Sequence, residues 1–173
     1  MNRKELCKAV YDIAHLTGEF KLRSGLTSNE YFDKYRFEAQ PKLLQEIAKQ
    51  LKPLVPADVE VLAGLEMGGI PIATALSFET GLPVAFIRKE AKSYGTCQFS
   101  EGTEIKGKKV LVVEDVITTG GQVVESTNAL RNEGALISQV LCVINRANGP
   151  SSKLQEINLA QLELFTMNEL KDR

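Results

Sequence analysis

The spacing of hydrophobic positions changes along the chain. Between Arg3 and Leu16, the residues Leu6, Val10, Ile13, Ala14 and Leu16 recur near helical spacing, and Gly18 is expected to stop that helix. The next stretch is richer in Gly, Ser and aromatic residues. It predicts short strands at Phe20–Leu22 and Tyr31–Asp33 around a Ser24-Gly25 turn. Pro41 suits the first turn of a helix running to about Leu51.

Beyond Pro56, apolar runs alternate with helical segments. Strands are expected at Val59–Ala63, Val84–Ile87, Val110–Val113, Gln139–Ile144 and Leu159–Phe165. Helices are expected at Gly69–Thr80 and Gly121–Glu133, with a polar stretch from Arg88 to Lys108. Thr166 and Glu169 have the spacing of a capping box, which predicts a short terminal helix. Continuous apolar strands between helices imply an α/β fold: a central, mostly parallel sheet flanked by helices. Residues 1–40 lack this alternation and are read as a helix and a small N-terminal hood subdomain over a core of residues 41–173.

Composition narrows the function. At 173 residues, 43% hydrophobic and 25% charged, the chain has the profile of one globular domain. Its net charge of −1 gives no basic excess for nucleic acid. No apolar run has the length of a membrane span, and the charged start lacks the apolar region of a secretory signal, so a cytoplasmic protein is expected. Cys7, Cys97 and Cys142 are odd in number and far apart, which reads as three thiols in a reducing compartment. His15, the single histidine, falls on the first predicted helix and is given no chemistry.

In open α/β sheets, chemistry gathers at the carboxyl ends of the strands. The sharpest feature there is VLVVEDVITTGG, Val110 to Gly121. An apolar strand ends in Glu114 and Asp115. A loop of small hydroxyl residues and glycines follows (Thr118, Thr119, Gly120, Gly121), and a helix opens. Inward-turned N–H groups and the helix N-terminus make a phosphate cradle. Carboxylates would repel a phosphate. They suit a ribose diol, a metal ion or a developing positive charge, so the pattern predicts a phosphorylated sugar as ligand. Two rival nucleotide motifs fail. Gly102–Lys109 (GTEIKGKK) is one residue short of a Walker A loop and precedes a strand. Gly64–Gly69 (GLEMGG) is not a dinucleotide fingerprint.

The run from Val110 to Gly121 closely resembles the signature of type I phosphoribosyltransferases for 5-phosphoribosyl 1-diphosphate (PRPP). Phe86–Thr96 (FIRKEAKSYGT) resembles the mobile catalytic loop of the orotate phosphoribosyltransferase family. Phe20–Asp33 (FKLRSGLTSNEYFD) is similar to that family's hood, and Asn145-Arg146 stands where the family carries an orotate-binding Arg. Thr166–Leu170 resembles its C-terminal segment. The likeness covers nearly the whole chain.

The resemblance implies transfer of ribose 5-phosphate from PRPP to N1 of orotate. The products are orotidine 5′-monophosphate, in the pyrimidine route to UMP, and diphosphate. It implies Mg2+ bound mainly through PRPP, and a homodimer whose mobile loop, Arg88–Thr96, acts in trans. Glu114 and Asp115 would face the ribose. Val116, Ile117, Thr118, Thr119, Gly120, Gly121 and Gln122 would hold the 5′-phosphate, with Thr118 also near the base. Arg88, Lys89 and Lys92 would neutralise the diphosphate. Arg146 would grip the orotate carboxylate, and Tyr31 and Phe32 would offer ring surface, one stacking while the other packs inward.

Three positions depart from the family pattern. Tyr94 stands in place of His, Arg23 in place of Lys, and Met67-Gly68 where some members have Tyr-Lys. Two alternatives remain at this point: a phosphoribosyltransferase for another base, or a nucleotide-sensing regulator of the same fold.

Overall fold

Alternation within the strands sorts the core into two faces. In the strand Val110–Ile117, Leu111 and Val113 join one buried cluster, while Val110 and Val112 join the other. A computed structural model of the chain describes residues 1–22, 24–90, 99–147 and 149–172. In chain order the elements are α1 (Arg3–Ala14), β1 (His15–Lys21), β2 (Thr27–Phe32), α2 (Tyr35–Glu38), α3 (Pro41–Leu51), β3 (Val61–Leu65), α4 (Gly69–Thr80), β4 (Val84–Ile87), β5 (Ser100–Gly102), β6 (Val110–Ile117), α5 (Gly121–Asn132), β7 (Gln139–Asn145), α6 (Ser152–Glu156), β8 (Ala160–Thr166) and α7 (Met167–Lys171).

The main sheet has the order β5-β4-β3-β6-β7-β8. Its five longer strands run parallel, and β5 closes one edge antiparallel to β4. Helices α1, α3, α4 and α7 bury residues such as Val10, Ile47, Ile72 and Leu170 against one face. Helices α5 and α6 bury Val123, Leu130 and Leu154 against the other. The predicted layered α/β architecture is therefore the observed one.

Local chemistry accounts for the ends. Asn2 and Glu5 form a capping box at α1, and Thr166 and Glu169 form the expected one at α7. Arg3 pairs with Glu169 at 2.8 Å and donates to the Leu164 carbonyl at 2.7 Å, which ties the two ends of the chain together.

Several boundaries differ from the sequence reading: β3 spans Val61–Leu65 instead of Val59–Ala63, and the polar stretch from Arg88 to Lys108 contains the edge strand β5. The first helix stops at Ala14, and His15 begins β1. Gly18 does not end the helix. It sits in β1 where the pairing with β2 shifts register between Thr17 and Phe20. The hairpin is accordingly longer than the two short strands expected. β6 also runs past Val113 to Ile117, paired with β7 through Val116–Ile144 and Ile117–Asn145, so both acids stand inside the strand. Cys7 and Cys142 are buried thiols, and Cys97 lies outside the described residues. No helix among the described residues is long and apolar enough to cross a membrane.

Candidate active site

The acid pair is shielded from solvent: Asp115 is fully buried and Glu114 is 8% exposed. The Asp115 N–H donates to Glu114 Oε1 at 3.1 Å, and the Val116 N–H donates to Asp115 Oδ1 at 2.6 Å. A fully buried carboxylate needs a compensating partner. Lys34, just before α2, provides it: its Nζ lies 2.6 Å from Asp115 Oδ2. Glu38, at the end of α2, is also buried and faces the same carboxylate.

These groups share charge unequally. Burial would raise Asp115, but hydrogen bonds from Glu114 and Glu38 and the Lys34 ammonium outweigh it and hold its carboxyl below the ordinary value. Burial, then Asp115, pushes Glu114 well up and takes Glu38 to about 9. Burial opposes the charge of Lys34, yet the attraction of Asp115 and Glu114 prevails and raises it. Within the cluster Asp115 is pushed toward its ionised form and Glu114 and Glu38 toward their neutral forms, beside the Lys34 ammonium.

The glycines after β3 make room for this cluster. A Cβ on Gly68 would overlap the Asp115 carboxylate, and one on Gly69 would overlap the Val113 carbonyl. The Glu66–Met67 peptide is cis.

Beyond β6, Thr118 and Thr119 are exposed. Gly120 takes a left-handed conformation (φ 76°) at the start of α5, where no side chain caps the helix. The first N–H groups of α5 therefore have no side-chain acceptor and suit an anion. Ser151 Oγ donates to the Thr119 carbonyl at 2.8 Å. Lys153 Nζ lies 3.8 Å from where a Cβ of Gly121 would stand, so a cation borders the loop. Gln122 Nε2 donates to Ser126 Oγ. Val116 and Ile117 belong to the strand, and the Ile117 carbonyl accepts from the Arg146 N–H at 2.8 Å.

Tyr31, Phe32 and Arg146 meet at a cavity of about 250 Å³, which Lys171 and Met167 of α7 and His15 also line. Tyr31 is 45% exposed and stacks on Phe20 at 5.6 Å. Phe32 packs against the core with its ring tilted against Tyr11 at 6.2 Å. Asn145 shapes the turn that carries Arg146: its Oδ1 accepts from the Ala147 N–H at 2.9 Å, and its Nδ2 donates to the Gly149 carbonyl at 3.4 Å. His15 stacks on Tyr11 at 4.7 Å, with Nε2 3.5 Å from Glu30 Oε2.

At the end of β4, Arg88 Nε is buried without a hydrogen-bond partner among the described residues. The Lys89 N–H donates to Glu66 Oε2 at 3.3 Å. Arg23, Lys92 and Tyr94 lie outside the described residues. Sequence reasoning missed Lys34, Glu38, Lys153 and Lys171. Only the Lys34–Glu38 spacing, one helical turn just after the aromatic pair, signals a shared target. Among the described residues no group of three or more His, Cys, Asp or Glu forms a metal cage.

The loop after β6, the buried acid pair and the cavity with Arg146 gather at the carboxyl end of the parallel sheet, where open α/β folds bind ligands. The phosphoribosyl transferase domain model matches residues 35–161. An orotate phosphoribosyltransferase of Nocardioides sp. is 46% identical over 158 residues, covering 91% of this chain and 88% of that protein. One from Halobacterium salinarum is 41% identical over 155 residues, covering 90% and 88%. The crystal structure of the Mycobacterium tuberculosis H37Rv enzyme of that name in complex with PRPP gives a TM-score of 0.83 at 27% identity, covering 98% of each chain. The chain belongs to the phosphoribosyltransferase family and, within it, to the orotate phosphoribosyltransferases.

Proposed function

We propose that this chain transfers ribose 5-phosphate from PRPP to N1 of orotate, giving orotidine 5′-monophosphate and diphosphate for pyrimidine nucleotide synthesis. One observation carries this reading above the others. The Arg146 N–H is bonded to the Ile117 carbonyl, so the residue we read as gripping the orotate carboxylate stands beside the start of the loop we read as the phosphate cradle. A base held by Arg146 then lies within reach of a ribose whose phosphate sits on Thr118–Gln122.

Each group has a task. Arg146 pairs with the orotate carboxylate, bidentately where geometry allows. Tyr31 offers its exposed ring to the base, while Phe32 supports the cavity wall. Backbone N–H groups of the loop and the N-terminus of α5 bind the 5′-phosphate. As the bond to diphosphate breaks, positive charge develops on the ribose and the Asp115 carboxylate opposes it, while Glu114 beside it faces the ribose hydroxyls. Arg88, Lys89 and Lys92 receive the negative charge on the departing diphosphate.

Mg2+ would arrive with PRPP, since magnesium is commonly held through substrate phosphates and water. The ion then supplies charge neutralisation at the diphosphate. A homodimer with the segment Arg88–Thr96 working in trans, the hood of residues 1–40 over the base, and a cytoplasmic setting complete the reading. They rest on family likeness.

The test is ultraviolet loss of orotate with purified protein, PRPP and magnesium, with uracil, adenine, hypoxanthine and guanine in parallel. Magnesium-dependent use of orotate alone is the expected result. Turnover of another base instead would overturn the base assignment and keep the PRPP half.

A further inference from the structure

A cation on the hood reaches the buried acid of the sheet. We propose that Lys34 is a positioning residue for Asp115, so that the segment walling the base cavity also sets the carboxylate facing the ribose. The proposal rests on the reading of Asp115 given above.

Both Asp115 oxygens are engaged. Val116 N–H holds Oδ1, and Lys34 Nζ stands 2.6 Å from Oδ2. The carboxylate is thus tied both to its own strand and to the segment just before α2. Lys34 comes two residues after Phe32, and the intervening Asp33 N–H donates to the Ala14 carbonyl at 2.8 Å, which fixes the segment to the end of α1. One turn on, Phe37 is fully buried in the core and anchors α2. Glu38, from the same helix, approaches the same carboxylate. The four-residue helix α2 and the residue that precedes it therefore bring an acid and a cation to one buried group. Lys34 itself keeps about a third of its side chain open (32%), while Asp115 keeps none.

Stability alone is a poor reason for such a pair. A buried ion pair roughly breaks even against apolar side chains of similar size. What it does supply is a fixed direction and charge for Asp115.

The experiment is a double-mutant cycle in the full chain with Lys34→Met, Asp115→Asn and the double variant, reading kcat and both KM values. Lys34→Met is expected to lower kcat about tenfold or more, with the KM for orotate changed less than about twofold, and to cost less than about twofold in the Asp115→Asn background. Lys34→Arg is expected to recover most of the loss. Lys34→Gln keeps a donor toward Asp115 and serves where the Met variant does not fold. Equal losses in both backgrounds, or an unchanged kcat in Lys34→Met, would overturn the proposal. Wild-type turnover of orotate is measured first. Should it fail, the functional reading falls, and the same cycle is read from magnesium–PRPP affinity, where additive effects would overturn the Lys34 proposal separately.

Discussion

The Ser151 hydroxyl donates to the Thr119 carbonyl across 2.8 Å, so a residue before α6 fixes the loop before α5. Leu154 and Ser151 also crowd Gly120, where a Cβ would lie 3.0–3.2 Å from them. Ser151→Ala removes one bond, worth about 1 kcal/mol. The expected outcome is a KM for PRPP raised about fivefold, with the KM for orotate little changed. Steady-state kinetics with each substrate varied checks this, and an unchanged PRPP KM would show that the loop holds itself.

Gly68 adopts φ −69° and ψ −29°, a conformation open to any residue. Space alone requires glycine there, because a Cβ would overlap the Asp115 carboxylate. Gly68→Ala must displace either the loop or the acid. Overpacking of this kind costs about 1–3 kcal/mol of stability. If the displacement falls on Asp115, kcat drops about 10²-fold, the scale of losing one transition-state contact. A variant with normal kcat would mean that the loop yields and the acid stays.

Much of this site is legible in the sequence because its signals are local. Val110–Gly121 carries strand, acids, loop and helix start in one continuous run, and all lie where that order implies. Tyr31, Phe32 and Arg146 also meet at one cavity. The buried state of the acids is not local. Polar residues read as a strand end, yet the ladder to β7 continues through Val116 and Ile117, because Lys34 compensates the charge. Lys34 precedes and Glu38 ends a helix of four residues, too short for hydrophobic periodicity to reveal, and their target is distant in sequence. β1 was hidden for a similar reason: its pairing with β2 absorbs Gly18 in an irregular register.

Arg146 is exposed at the rim of the cavity it shares with Tyr31 and Phe32, and its turn is held by Asn145. Arg146→Ala removes the side chain without touching the backbone bond to Ile117. The KM for orotate is expected to rise far more than that for PRPP, by about 10²-fold if a charge-assisted bond of about 3 kcal/mol is lost. Equal effects on both substrates would count against a carboxylate-gripping role.

Lys92 belongs to the basic run that begins with Arg88 and Lys89. Its task in the proposed mechanism exists only as diphosphate departs. Lys92→Ala is therefore expected to lower kcat by about 10²-fold or more, with the KM for orotate little changed. Near-normal kcat would leave diphosphate neutralisation to Arg88 and Lys89.

Glu38 titrates far from the ordinary carboxylate range because it is buried and hydrogen-bonded to Asp115, which takes it from 4.5 to about 9. Below pH 4.5 both folded and unfolded chains hold this proton, and the bond to Asp115 contributes fully. Between 4.5 and about 9 the unfolded chain releases the proton while the folded chain keeps it, so stability falls as pH rises, by at most about 1.4 kcal/mol per pH unit. Glu38→Gln keeps a donor toward Asp115 and has no proton to lose. Its melting temperature relative to wild type is expected to climb steadily from pH 5 to pH 9. Thermal melts of both proteins across that range decide it: parallel curves would mean that Glu38 ionises normally, and that Asp115 is held by Lys34 and Glu114 without it.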